Sequence, residues 1–362
     1  MTFIQSIRFH IDNIGCDIMR EIAEFRVVEE FASQLFTNSE GKKLGDSIRK
    51  VELPTNVSKF KQIGELQKKI DATLGRSFFH GWDVYRYYTK DEMASAACFQ
   101  LSILAVFEPA GEECGTKYDE STACPKCGTG AVQVSDLYLD MRKIPKNKHI
   151  ACTIADEVIV SQWLAERMTD ANLTGFELRP VRHKAFYEDD PIDLSQLHAG
   201  REILQKAQAA GAPHPTGKFY VWLNRAENNQ LWEQAQDEYA ALKGEEERRG
   251  RKPMPVWYQL VITSSETEIV HPTKVGINPF DEDKKGECRC ALGDLIGLNL
   301  LSEVSISAAS RGNADIISTR QFVGARRGLL RPRRVMLISP KFWRLLESEK
   351  IKGAKIEIAH LV

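Results

Sequence analysis

The sequence lacks the features that mark several large classes of protein. Only 8 of its 362 residues are cysteine, too few for a disulfide scaffold, so thiols or metal ligands are favoured. The 49 Lys and Arg residues nearly balance the 50 Asp and Glu residues, so no overall charge draws the chain to nucleic acid or anionic membrane. No apolar run approaches a membrane span, and the first residues do not resemble a secretion signal. We therefore expect a cytoplasmic protein.

Recognisable catalytic motifs are missing as well. The sequence contains no GxGxxG after a predicted strand, no GxxxxGK[ST], no GxSxG and no HExxH. None of the 8 histidines forms a pair at the spacing of metal ligands on a helix, which disfavours a catalytic zinc site. These absences leave open a hydrolase whose site is assembled from scattered residues.

What the sequence does contain is an internal repeat, in which residues 98–181 and 257–361 follow one pattern. The ends match best, because equal intervals separate Ser161 from Gly175 and Ser339 from Gly353. Duplication explains the shared order better than coincidence between two ordinary strand-helix-strand units. The other matches pair Phe99 with Tyr258, Ile150 with Ile316, Ser135 with Ser302, Gly115 with Gly276, Tyr118 with Phe280, Asp119 with Asp281, Cys124 with Cys288 and Cys127 with Cys290.

Periodicity predicts an α+β fold in a chain long enough for two or three domains. Helical spacing of apolar residues predicts amphipathic helices over residues 17–36 and 58–74. Each repeat is expected to form a strand, a cysteine-bearing turn, a short strand and a closing strand-helix-strand unit around a zinc-knuckle-like site. The expected organisation is an N-terminal helical region over 1–89, a first repeat over 90–183, a partly helical insertion or linker over 184–254 and a second repeat over 255–362.

The cysteines predict a metal site. Cys124-Pro125-Lys126-Cys127-Gly128 is a CPxCG knuckle, whose tight turn lets two thiolates face one metal ion. Soft thiolates at tetrahedral spacing suit structural Zn²⁺. Cys114 is expected to supply a third ligand, and Cys290 or Cys288 of the second repeat the fourth. The alternative is an old zinc ribbon that has lost its metal and buries its remaining thiols.

Arginines and tryptophans mark candidate partner surfaces. An arginine cluster lies between two predicted strands of the second repeat, where the first repeat is shorter. Arginine at this density can hold phosphate or an acidic protein surface, although loop arginines without a function fit equally well. The insertion offers two tryptophans as hydrophobic anchors. The candidate residues are Arg320, Arg326, Arg327, Arg331, Arg333 and Arg334 in the cluster and Trp222 and Trp232 in the insertion.

Several short motifs together carry a resemblance to a known family. They are Cys124-Pro125-Lys126-Cys127-Gly128, Gly297-Leu298-Asn299-Leu300-Leu301-Ser302-Glu303, Gly328-Leu329-Leu330-Arg331-Pro332 and the closing units that end at Gly175 and Gly353. In these motifs the chain resembles the double-CXXCG motif family of bacterial proteins, a group of immunity proteins of polymorphic or contact-dependent toxin systems. The resemblance covers about half of the chain, residues 90–183 and 255–362. The chain departs from the pattern at Gly111-Glu112-Glu113-Cys114-Gly115, which keeps only the second cysteine of a CxxCG motif.

The resemblance implies a function in binding rather than catalysis. The expected protein is non-enzymatic, contains structural Zn²⁺, and binds and neutralises a cognate bacterial toxin. An alternative is a nucleic-acid-associated component of a bacterial defence or regulatory system, in which the arginine cluster contacts phosphates.

Overall fold

The computed structural model shows an α+β protein, as the sequence predicts. For residues 243–248 it describes the backbone only. The described residues are 21–184, 193–212, 223–224, 226–248, 254–281, 286, 288, 290, 295–324 and 330–362.

The N-terminal region is a four-stranded antiparallel sheet with one long helix packed on it. Phe25 of the central strand and Phe78 are fully buried against Ile63 and Ile70 of that helix. Its elements, numbered along the chain, are β1 (Glu21–Val28), α1 (Glu29–Ala32), β2 (Lys42–Lys43), β3 (Ile48–Pro54), α2 (Ser58–Leu74) and β4 (Phe79–Arg86), and the strand order is β2-β3-β1-β4.

The helix expected over residues 17–36 is wrong, because Glu21–Val28 is strand β1 and only Glu29–Ala32 is helical. The apolar residues of this segment are compatible with the periodicity of a helix and with that of a strand. Phe25, for example, belongs to a set at helical spacing and also to a set that alternates. Pairing with β3 on one side and β4 on the other stabilises the strand. Residues 17–20 lie outside the described part of the chain. Helix α2, in contrast, has the predicted bounds and ends at Gly75, whose φ is 61°.

The first repeat closes with the strand-helix-strand unit that the sequence predicts. Ser161 caps the helix by accepting a hydrogen bond from Leu164 N at 3.2 Å. The elements of this repeat are α3 (Lys90–Ser95), β5 (Phe99–Ile103), β6 (Val106–Phe107), β7 (Tyr118–Asp119), β8 (Val132–Gln133), β9 (Tyr138–Leu139), β10 (Ile150–Thr153), β11 (Val158–Ser161), α4 (Gln162–Asp170), β12 (Phe176–Pro180) and β13 (Arg182–His183).

The insertion forms a helical hairpin with a small core of its own. Leu194 and Ile203 pack there against Leu231 and Ala235. The two helices of the hairpin are α5 (His198–Ala209) and α6 (Asn229–Arg248).

No helix in the described part of the chain is both long enough and apolar enough to cross a membrane.

The second repeat ends in the same way as the first. Ser339 accepts a hydrogen bond from Phe342 N at 3.2 Å, and Pro340 occupies the first helical position, as expected. The elements of this repeat are β14 (Trp257–Ile262), β15 (Val275–Gly276), β16 (Asn299–Leu300), β17 (Ser305–Ile306), β18 (Ile316–Val323), β19 (Arg333–Ile338), α7 (Pro340–Ser348), β20 (Ala354–Ile358) and β21 (His360–Leu361).

The two repeats exchange their first strands. Strand β14 of the second repeat lies between β11 and β12 of the first, in a sheet of order β12-β14-β11-β10-β6. Strand β5 of the first repeat lies between β19 and β20 of the second, in a sheet of order β18-β19-β5-β20. The ranges 90–183 and 255–362 therefore delimit the repeats along the sequence, but neither builds its sheet from its own strands alone.

The registers of the exchanged strands agree with the repeat found in the sequence. In each exchanged strand, equivalent residues lie opposite the residue that precedes the capping serine and opposite the fifth residue after the closing glycine. The equivalent pairs are Phe99 with Ile338 and Ile358, and Tyr258 with Val160 and Pro180.

The contacts at the closing glycines are reciprocal, as two-fold related copies require. Leu104 N donates to Gly353 O at 2.8 Å, and its counterpart Thr263 N donates to Gly175 O at 3.0 Å. The two sheets share one hydrophobic core, which includes Leu164 of α4, Phe342 of α7 and residues of both exchanged strands. The repeats therefore form one interlocked body.

In the turn before the cysteines, the structure shows a different correspondence between residues of the two repeats from the one expected from the sequence. Lys117 N donates to Ser135 Oγ at 2.9 Å, and Lys274 N donates to Ser302 Oγ at 2.9 Å. Lys117 is thus the counterpart of Lys274. The matches of Gly115 with Gly276, Tyr118 with Phe280 and Asp119 with Asp281 are wrong.

The contacts that join the N-terminal sheet to the second repeat include an aromatic ring and an arginine. Phe280 stacks on Phe25 with 5.8 Å between the ring centroids. Arg86 at the end of β4 donates to Glu357 of β20 at 3.0 Å and to the carbonyl of Leu301 at 2.8 Å. These contacts place the edge of β4 beside the second repeat.

Candidate metal centre

Four cysteine side chains, two from each repeat, lie together where the knuckle turns of the repeats meet. The Sγ atoms of Cys124, Cys127, Cys288 and Cys290 all lie within 4.8 Å of one another. Cys124 Sγ is 3.6 Å from Cys288 Sγ, and Cys127 Sγ is 3.7 Å from Cys290 Sγ. Tetrahedral zinc with Zn–S bonds of about 2.3 Å requires sulfur atoms about 3.8 Å apart. The four sulfurs therefore fit one metal ion.

A tight turn in the first repeat presents two of these sulfurs. Gly128 N donates to Cys124 O at 2.7 Å, and Cys124 N donates to Thr129 O at 2.8 Å. Gly128 has a φ of 72°, a left-handed conformation that glycine adopts without strain. The turn thereby brings Cys124 and Cys127 to the same side, as the CPxCG motif predicts.

The two sulfurs of this turn differ in their electrostatic surroundings. Backbone N–H groups of Cys127 and Lys126 donate to the sulfur of Cys124 and lower the pKa of its thiol to about 6. Burial raises the pKa of the Cys127 thiol to about 11. A metal ion would bind all four sulfurs as thiolates and release the remaining protons.

Apolar side chains surround the cysteines. Cys127 and Cys288 are buried with Ile296, and Phe322 packs against the cluster. The guanidinium of Arg334 lies over the ring of Phe322, 4.6 Å from its centroid. Four sulfurs, two of them on buried cysteines, are typical of a structural metal site, because a catalytic site keeps an open position for water or substrate.

The structure brings Cys124 and Cys127 together, as the CPxCG motif predicts, but the rest of the expected set differs. Both Cys288 and Cys290 belong to the cluster, rather than one of them. Cys114 does not belong to it; this residue is 1% exposed in its own turn, where burial raises the pKa of its thiol. An alignment of Thr116-Lys117 with Thr273-Lys274 could have revealed this difference between the repeats. In that alignment the second repeat has His271, and not a cysteine, at the position of Cys114.

Two cysteines outside the cluster belong to the hydrophobic core. Cys98 is 0% exposed and Cys152 is 3% exposed, and both pack in hydrophobic clusters. Cys16 lies outside the described residues.

The described arginines of the candidate partner surface mostly contact the protein itself. Arg331 forms an ion pair with Glu112 of the first repeat at 2.7 Å, and its guanidinium lies 4.4 Å from the centroid of the Tyr118 ring. Arg320 pairs with Glu268 at 3.2 Å.

The remaining candidates differ in their surroundings. Arg334 donates to two backbone carbonyls, those of Ser265 and Thr319. Arg333 is exposed and lines a cleft. Trp232 packs against the core of the helical hairpin instead of projecting as an anchor. Arg326, Arg327 and Trp222 lie outside the described residues.

The cleft lies between the N-terminal sheet and the second repeat and has a volume of about 960 Å³. Its walls include Trp82 of β4, Gln100 and Ser102 of β5, Asn278 and Arg333. This volume is within the range that proteins use to bind ligands. No sequence motif pointed to this cleft, because its walls come from segments far apart in the chain.

The chain matches no protein-family model, and none of the curated proteins matches it.

Proposed function

We propose that this chain is a non-enzymatic zinc-binding protein that binds and neutralises a cognate bacterial toxin. The observation that carries the zinc part is the set of four cysteine sulfurs within 4.8 Å, two from each repeat. An all-thiolate set favours Zn²⁺ over hard cations, which prefer oxygen ligands. The ion would hold Cys124 and Cys127 of one repeat to Cys288 and Cys290 of the other.

Two observations support binding over catalysis. A site closed by four sulfurs offers no open position for a substrate or an activated water. The paired cysteines also agree with the resemblance to the double-CXXCG proteins, since each repeat supplies one pair. A rigid protein braced at its centre can present a fixed surface, which lowers the entropic cost of binding a partner.

Elemental analysis of the purified full-length chain tests the metal. We expect one zinc ion per chain, retained through gel filtration. A fully folded preparation that contains no metal after expression with zinc would overturn the site.

Co-expression tests the partner. The reading frame that neighbours this gene is expressed alone and with this chain in a bacterial host. We expect growth arrest with the neighbour alone and growth with both, together with co-purification of the two proteins. A harmless neighbour, or a toxic one that this chain leaves active, would overturn the immunity function.

A further inference from the structure

We propose that the cleft binds an extended segment of a partner protein, which adds as a strand to the outer edge of β4. The proposal rests on the proposed partner-binding function and names the surface that performs it. Its support comes from the open edge of β4, from the floor of the cleft and from the groups at its rim.

Strand β4 is the last strand of its sheet and pairs only with β1 among the described strands. At Val84 the outer edge is closed by side chains: Asp83 Oδ1 accepts from Val84 N at 2.8 Å, and Lys355 Nζ donates to Val84 O at 2.7 Å. Antiparallel pairing alternates every two residues, so Trp82 also turns its N–H and C=O to the outer edge. No described residue bonds those two groups, and both Trp82 and Val84 line the cleft. An extended peptide can pair with such an edge.

The floor of the cleft includes the surface of the exchanged strand β5, and the corresponding surface of β14 is covered. On β14, Gln259 forms a reciprocal amide pair with Gln133, with hydrogen bonds of 2.7 and 3.1 Å. The equivalent residues at the cleft are Gln100 of β5 and Leu300, which cannot form that pair. Gln100 Nε2 donates to Ser102 Oγ at 3.3 Å, and no described residue donates to its carbonyl oxygen. The cleft therefore offers a hydrogen-bond acceptor to an incoming chain.

The rim of the cleft defines the chemistry of the segment. Leu104, Ile277 and Leu330 line it and are 57%, 53% and 48% exposed, which leaves apolar surface for apolar side chains. Arg333 is exposed; Asp156, which also lines the cleft, interacts with its charge, but no described carboxylate lies within ion-pair distance of its guanidinium. A segment that carries apolar side chains and one carboxylate complements these groups.

The cleft has room for about six extended residues. It follows β4 from Phe79 to Val84, and six residues at about 3.3 Å each span about 20 Å. Main-chain hydrogen bonds would supply affinity in this mode, and the side chains at the rim would supply selectivity.

Selection of peptides tests the proposal without knowledge of the natural partner. A phage library of random ten-residue peptides is panned on the full-length protein, and an enriched peptide is titrated by fluorescence anisotropy. We expect at least tenfold weaker binding to Ser102→Trp, which fills the floor, and to Arg333→Glu. The matched variants Ser102→Ala and Arg344→Glu, the latter at an exposed residue of α7 outside the cleft, should bind like the wild type, and all four variants should melt within a few degrees of it.

Hydrogen exchange with the same peptide separates strand addition from other modes. Binding should protect the amide of Trp82, which has no described partner in the free protein. Failure to enrich any peptide, binding that Ser102→Trp leaves unchanged, or an unprotected Trp82 amide in the complex would each overturn the proposal.

If the peptide binds as expected but the neighbouring toxin is not neutralised, the immunity function fails and the cleft proposal stands. If Ser102→Trp neutralises the toxin fully, the cleft proposal fails and the immunity function stands.

Discussion

Glu157 shows how single residues distinguish the two repeats. Its carboxylate is buried at 6% exposure and accepts hydrogen bonds from Gly111 N, Thr153 Oγ1 and the hydroxyl of Tyr118. The equivalent residue of the second repeat is the apolar Val335. The first repeat thus uses a buried carboxylate to hold the turn that leads to its cysteines, because Gly111 and Tyr118 belong to that turn.

Replacing this carboxylate by an amide should destabilise the protein. In Glu157→Gln one oxygen becomes an NH₂ group that faces other donors, which costs about 2 kcal/mol of unfolding free energy. Urea unfolding at pH 7 measures the change. The control Glu112→Gln alters an exposed ion pair with Arg331 and should cost less than about 1 kcal/mol. Equal losses in the two variants would contradict the role of Glu157.

Asp156 should make stability depend on pH. Burial raises the pKa of its carboxyl to about 6, from an ordinary value of 3.8. A raised folded-state pKa stabilises the fold below pH 3.8, and this contribution is lost as the pH rises through 6. Asp156→Asn stays neutral and tolerates the left-handed backbone at this position, where φ is 64°.

The stability of Asp156→Asn relative to the wild type should therefore increase by about 1 kcal/mol between pH 5 and pH 7.5. Urea unfolding of both proteins at the two pH values measures the difference. Parallel pH profiles would show that Asp156 keeps an ordinary pKa.

At the level of helices and strands, the sequence predicted what local interactions determine. The closing strand-helix-strand units and helix α2 depend on residues a few positions away, and both agree with the sequence prediction. Serine side chains cap the closing helices, and Gly75 ends α2. Strand β1 was taken for a helix because its partners, β3 and β4, lie more than twenty residues further along the chain. The strand exchange could not be predicted either, since periodicity does not identify the neighbour of a strand.

Only part of the cysteine cluster can be predicted from the sequence, again because local spacing does not identify partners that are distant in the chain. The CPxCG spacing alone identifies Cys124 and Cys127 as one half of the site. Choosing among Cys114, Cys288 and Cys290 required the correct register of the second repeat, which the hydrogen bonds of Lys117 and Lys274 establish.

A substitution at Gly175 tests how closely the backbones of the two repeats approach each other. A Cβ atom at this position would lie 2.1 Å from the carbonyl oxygen of Ile316 in the other repeat, with the backbone at a φ of 95°. Gly175→Ala should therefore cost about 2–4 kcal/mol, from backbone strain and this clash together. Gly211→Ala is the matched control, because its φ is 92° and no atom lies within 4 Å of the added Cβ, so it should cost only about 1 kcal/mol. Similar losses in urea unfolding would mean that the close approach between repeats is not rigid.

At the scale of the whole molecule, the cysteine cluster braces one wall of the cleft. Ile296 and Phe322 pack on the cysteines, and Gly297 and Val323, the residues that follow them, line the cleft. Metal bound at the cluster would therefore stiffen this wall of the cleft as well as join the repeats.

Removal of one ligand should release the metal and loosen this wall. We expect Cys290→Ser to bind at least tenfold less zinc after dialysis against a chelator, and to lose hydrogen-exchange protection around Ile296 and Phe322. The control Cys114→Ala changes a buried cysteine outside the cluster and should keep one zinc ion per chain. Zinc retained by Cys290→Ser and lost by Cys114→Ala would contradict the ligand assignment.

The exchanged strands should hold the repeats together even when the chain between them is cut. A protease site placed after Asn224, within the insertion, divides the chain between α5 and α6. Strand β5 of the first piece stays between β19 and β20 of the second, and β14 of the second stays between β11 and β12 of the first. Separation would expose the shared core and open both sheets, at a cost far above the thermal energy. We expect the cut protein to elute from gel filtration as one particle with its zinc, and to separate only in denaturant. Two separate particles under native conditions would show that the linker, rather than the strand exchange, maintains the assembly.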